Sequence, residues 1–80
     1  MIKCLILKYG VTLISEVVEV QAELGEPDCQ LVNPFQVVEN DLKLWPEVTD
    51  QRSILISSES ILTIVDPKEN LIVKYKEMIK

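Results

Sequence analysis

Histidine is absent from the 80 residues, and with it go the commonest general base and the commonest metal ligand. Cys4 and Cys29 are the only cysteines, and no CxxC spacing exists, which excludes a zinc or redox motif of that kind. Both lie in apolar strand patterns and read as buried free thiols. No apolar run approaches the ~20 residues of a membrane span, and Met1-Ile2-Lys3 leads into a short alternating strand rather than a signal peptide. Positive charge is scarce, with 8 basic residues against 13 acidic ones and a net charge of −5. An acidic chain presents no broad positive field to phosphates, so binding to duplex DNA is disfavoured. These absences set the expectation of a cytoplasmic protein with no cofactor, no metal and no membrane contact.

Apolar residues, by contrast, are abundant at 48% of the chain. Eighty residues suffice for one domain and leave no room for a second core. A chain of this size buries only ~60% of the surface it exposes when unfolded, so it gains from association. Part of the apolar surface is therefore expected between subunits.

Residues 2–8 read as a strand, with Cys4 and Ile6 on one face and Leu5 and Leu7 on the other. Apolar side chains on both faces predict burial on both sides, as in a barrel packed against a helix or a neighbour. Tyr9-Gly10 is a turn. Residues 11–24 follow as one long strand, with Val18, Val20, Ala22 and Leu24 on one face and a phase slip at Ser15-Glu16-Val17-Val18. Such a slip predicts a bulge or strong bend, which a small barrel needs to turn its corner. After a turn at residues 25–28, residues 29–38 form a strand with Cys29, Leu31, Phe35 and Val37 inward. Asn33 and Pro34 interrupt it with a bulge or an edge.

A polar loop opens at Glu39, residues 42–46 make a short strand or extended arm, and residues 47–52 form another link. Residues 53–57 and 61–65 are short strands joined by Ser58-Glu59-Ser60. Asp66 at the N-cap, Pro67 at the first helical position and Glu69 at the third then open a helix over about 67–79. Its apolar face is Leu71, Ile72, Tyr75, Met78 and Ile79. The expected fold is mainly β: a strongly bent, five-stranded open barrel over about 1–65 with a short C-terminal helix.

At this point the chain resembles the Sm-like (SH3-like) barrel proteins, the class that includes the Hfq RNA chaperones. The first motif runs from Tyr9-Gly10 through Ile14-Ser15-Glu16 to Asp28-Cys29-Gln30-Leu31-Val32-Asn33. The second runs from Ile56-Ser57-Ser58-Glu59-Ser60-Ile61 into Leu62-Thr63-Ile64-Val65-Asp66-Pro67. The Leu-Val-Asn-Pro stretch of the third strand is similar to Sm-like proteins carried by marine cyanophages, which would place the protein in the cytoplasm of a host cell. The resemblance covers roughly residues 5 to 67. It implies a non-enzymatic homo-oligomeric ring in which the fourth strand of one subunit pairs with the fifth of the next. Ile54, Leu55, Ile56, Leu62 and Ile64 would form that interface. It also implies single-stranded RNA binding at pore-facing turns, through Asp28, Gln30, Ser57, Ser58 and Glu59. The chain departs from the family pattern in three places. The only helix follows the last strand instead of preceding the first, Ser15 or Glu16 replaces a glycine of the bent second strand, and the second-motif turn has serine and glutamate in place of a cation. A ring that has lost RNA and serves as a protein-interaction scaffold is the alternative.

Other features read as structural. Trp45 is better explained as a cap on the open end of the barrel than as a platform for a base. Lys43 and Arg52 are two dispersed cations. Glu19 and Glu23 would stand about 13 Å apart on one strand face, too far to share an ion, so the carboxylates at 16–28 make a solvated face. Ser57, Ser58 and Ser60 have no base to activate them. Lys76 and Lys80 belong to a solvated helix face.

Overall fold

The computed structural model describes residues 1–80. Alternating apolar residues build six strands: β1 (Ile2–Leu7), β2 (Thr12–Glu19), β3 (Cys29–Val38), β4 (Asp41–Leu44), β5 (Ser53–Ile56) and β6 (Ile61–Val65). A single 3₁₀ turn, Ser58–Ser60, joins β5 to β6, and helix α1 (Glu69–Met78) ends the chain. All pairings are antiparallel. β2 lies between β1 and β3, and β6 pairs with the far side of β1. The far side of β3 is shared: Cys29–Val32 takes β5 and Phe35–Val38 takes β4. β5 and β6 do not pair with each other, so the sheet stays open.

The β2–β3 ribbon is bulged where Asn33 and Pro34 predict it, and the phase slip at Ser15 marks the bend opposite that bulge, not a bulge of β2 itself. The register shifts there: Ser15 alone separates Ile14 from Glu16, while Asn33 and Pro34 together separate Val32 from Phe35, so the extra residue of the bulge lies on β3. Within it, facing Ser15, Asn33 adopts a left-handed φ of 54° and is followed by the buried Pro34. The bend splits the core in two. Leu5, Leu7, Leu13 and Leu31 pack inside the curve, while Cys4, Ile14 and Phe35 pack outside it under Leu71 and Tyr75 of α1. Both faces of β1 are thus buried, one by the curved sheet and one by the helix. Cys4 and Cys29 are buried free thiols. Burial pushes both thiols up from their ordinary range, helped at Cys29 by the neighbouring Asp28 and Glu19 charges.

Three expectations need correction. The sheet has six strands, not five, because Glu39 and Asn40 both take left-handed φ (50° and 65°) and fold residues 41–44 back onto β3 as a hairpin. The second strand ends at Glu19 instead of 24. β3 begins opposite Glu19, so Val20 closes the connection by donating to the Asp28 carbonyl (3.2 Å). The residues beyond have no strand to pair with. There the chain turns at Gly25 (φ 91°), and Val18 and Leu24, read as one apolar face, are exposed. The helix begins at Glu69 with Lys68 as its N-cap and no side-chain cap bond. Asp66 is engaged instead with Lys3 of β1. Its buried stripe is also narrower than predicted: Leu71 and Tyr75 are buried, whereas Met78 and Ile79 are largely exposed.

Candidate functional site: two joined turns and two open edges

The connection after β2 and the 3₁₀ turn before β6 are 30 residues apart in sequence and meet in space. The Asp28 carboxylate accepts from the Ser58 backbone N–H and from its hydroxyl, both at 2.7 Å. These two bonds hold the Asp28 carboxyl below its ordinary range. The Ser57 hydroxyl caps the 3₁₀ turn by accepting from the Glu59 N–H (3.2 Å). Asp28, Ser57, Ser58 and Glu59 therefore line one shallow groove of about 290 Å³ with Glu23 and Glu26. Gln30 does not join them. Its amide donates to the Ser53 hydroxyl (2.7 Å), and it lines a neighbouring groove beside β5 with Gln51, Ser53 and Leu55.

The electrostatics of this end are one-sided. Between Lys8 and Lys43 the chain has no basic residue and seven carboxylates. Glu19, Glu23, Glu26 and Asp28 share a further groove of about 740 Å³ on the same end, with no Lys or Arg in its lining. The two cations flagged in the sequence are occupied elsewhere. Lys43 pairs with Glu47. Arg52 donates to the carbonyls of Pro34 (3.3 Å) and Trp45 (3.2 Å) and lies over the Phe35 ring. Trp45 itself is half-buried against the Leu5, Leu7, Leu13 and Leu31 cluster, as a cap would be. Glu23 lies outside any strand, so it shares no strand face with Glu19.

The five edge residues divide into two kinds. Ile54 and Ile56 turn inward and pack half-buried against the Leu5, Leu7, Leu13 and Leu31 cluster of their own subunit. Leu55, Leu62 and Ile64 point outward with 56%, 66% and 44% of their surface exposed. β5 pairs only with β3 and β6 only with β1, so each leaves one backbone edge unpaired.

One polar contact gave little sign of itself in the sequence. The Tyr75 hydroxyl, on the buried face of α1, accepts from the Glu16 N–H (3.1 Å) and donates to the Val32 carbonyl (2.9 Å). The only sequence signal was a tyrosine on an apolar helix face, where its hydroxyl needs a partner.

The whole chain, residues 1–80, matches a protein family described as "Family of unknown function (DUF6561)". The chain belongs to this family. No curated protein matches it. The family description carries no activity, and the chemistry at these turns and edges comes from the residues themselves. None of the helices is long and apolar enough to cross a membrane.

Proposed function

We propose that this chain is a non-enzymatic, Sm-like subunit that assembles into a homo-oligomeric ring, the β5 edge of one copy pairing with the β6 edge of the next. The observation that supports it is the free edges at the two borders of one open sheet, β5 beside β4 along β3 and β6 along β1, each carrying exposed apolar side chains. An apolar edge strand is a template for another strand, and two unlike edges on one subunit give a head-to-tail contact that closes when the rotation permits. The small core argues the same way, since only 12 of 80 residues are buried in the isolated chain.

The ring's role is that of a protein-interaction scaffold. Its joined turns gather carboxylates without a cation, and Asp28 spends its acceptors on Ser58. A second reading, single-stranded RNA held at the same turns, is favoured by the meeting of the two motif turns at one end. In that case recognition relies on hydrogen bonds from Gln30 and the serines and on stacking, with little phosphate attraction.

Purification without nuclease, followed by native mass and the ultraviolet absorbance ratio, tests both. A ring free of nucleic acid is expected. A ring carrying RNA with a shallow salt dependence selects the second reading, and a steep dependence, as from six or more phosphate contacts, overturns that mechanism. A monomer at every concentration overturns the ring.

A further inference from the structure

Ser15 of β2 and the bulged Asn33-Pro34 of β3 lie opposite each other and divide the β2–β3 ribbon into two halves. In one half, Glu16–Glu19 pairs with Cys29–Val32, and β5 hangs on the outer side of Cys29–Val32. In the other, Thr12–Ile14 pairs with Cys4–Ile6 of β1, whose ladder runs on past the bend to Ser15 and Glu16 through Lys3 and Ile2, and β6 hangs on the outer side of Cys4–Leu7. The two open edges therefore belong to different halves, and the angle at Ser15 and Asn33-Pro34 sets how β5 stands relative to β6. A bulge leaves backbone groups outside the ladder and concentrates bending at one point. Whatever satisfies those groups fixes the bend.

Arg52 holds the bulged residues themselves, its carbonyl accepting from the Asn33 N–H (2.6 Å) and its guanidinium donating to the Pro34 carbonyl (3.3 Å), and Tyr75 holds the flanking pair, Glu16 and Val32. The Tyr75 ring packs edge-to-face on Phe35 (5.8 Å, 89°), within the cluster of Cys4, Ile14 and Leu71 that belongs to the β1 half. Its hydroxyl reaches across the hinge to Glu16 and Val32, the residues that open the β5 half. Ser15 adds a bond from its hydroxyl to the same Val32 carbonyl (3.1 Å). The side chain is 1% exposed, so no water competes for either group. We infer that helix α1, through the Tyr75 hydroxyl, acts with Arg52 to set the barrel's bend and with it the angle between the two open edges. The C-terminal helix thus governs the geometry of edges it does not itself form. The consequence for assembly rests on the ring proposed above: in a head-to-tail ring the angle between the edges decides how many subunits close it.

The test is Tyr75→Phe, read by residual dipolar couplings and amide exchange on the labelled protein. The Glu16 amide should exchange roughly tenfold faster, as when one buried hydrogen bond is lost. The couplings of Ser53–Ile56 should change orientation relative to those of Ile61–Val65. Unchanged relative orientation of these two strands overturns the inference, whatever the oligomeric state. Should Tyr75→Phe fail to fold, Ser15→Ala removes the second bond to Val32 without touching the helix, and the same reorientation is expected at smaller amplitude. If the native protein is a ring, Tyr75→Phe should also spread its mass over neighbouring subunit numbers. A native monomer would sink the ring alone and leave the couplings to judge the hinge.

Discussion

At the scale of single residues, Tyr75 and Asp28 show how polar groups are placed in a chain with few of them to spare. Burial pushes the Tyr75 phenol above its ordinary value. Below about pH 10 the phenol is protonated in both folded and unfolded states, and its two hydrogen bonds contribute in full. As pH rises past that value the unfolded chain ionises first, so stability falls until the folded phenol ionises too. The buried thiols of Cys4 and Cys29 are shifted in the same sense. Thermal unfolding should therefore show the midpoint falling between about pH 9 and 11. Tyr75→Phe should flatten that fall while costing about 1–2 kcal/mol at neutral pH, the loss of the acceptor for the Glu16 N–H and of one of the two hydroxyl bonds to the Val32 carbonyl. An alkaline limb equally steep in the variant would contradict this account. Asp28 is shifted the opposite way but stands at the surface, so its bonds to Ser58 order the turns more than they stabilise the fold.

At the scale of elements, the helix start shows where a local signal lost to a tertiary one. Asp66-Pro67-Lys68-Glu69 has the composition of an N-terminus, but Lys3 of β1 draws Asp66 away and Lys68 takes the cap position bare. The first N–H groups of α1 therefore lack a side-chain acceptor, and the ten-residue helix is held chiefly by Leu71 and Tyr75. Lys68→Asp should supply the missing acceptor and a favourable charge at the helix N-terminus. The expected gain is about 1 kcal/mol in denaturant unfolding, with no change of fold. The β3–β4 hairpin is the converse case. A Glu39-Asn40 pair is a weaker turn signal than one with glycine, so residues 42–46 were legible only as a short strand or an arm. Their pairing with Phe35–Val38 depends on both turn residues accepting left-handed φ.

At the scale of the whole molecule, the alternation of side chains along β5 separates stability from assembly. Ile54 faces the core and Leu55 faces out, one residue apart. Ile54→Ala should lower unfolding free energy by about 1–2 kcal/mol, toward the low end for a partly buried aliphatic side chain. Leu62→Lys places a charge on an edge strand with little intramolecular packing to lose. It should leave monomer stability within about 0.5 kcal/mol and shift native mass toward the monomer. A ring that survives Leu62→Lys would place the subunit contact elsewhere.

The sequence alone determined the elements whose cause is local: the alternation of β1 and β3, the bend at Ser15, the bulge at Asn33-Pro34, the buried cysteines and the presence of a C-terminal helix. Each follows from side-chain period or backbone chemistry within a few residues. It also placed Asp28 and Ser58 in one candidate site, though only through likeness to a family pattern. Tertiary structure decided the rest. β2 stops at Glu19 because β3 offers no partner beyond it, although the apolar alternation continues to Leu24. Ile54 and Ile56 pack half-buried against the Leu5, Leu7, Leu13 and Leu31 cluster because the curve of the sheet brings that cluster to them. The Tyr75 hydroxyl finds Glu16 and Val32 only once the helix has packed across the bend. A pattern fixes which face a residue takes, but what lies opposite that face is set by chain segments far away in sequence.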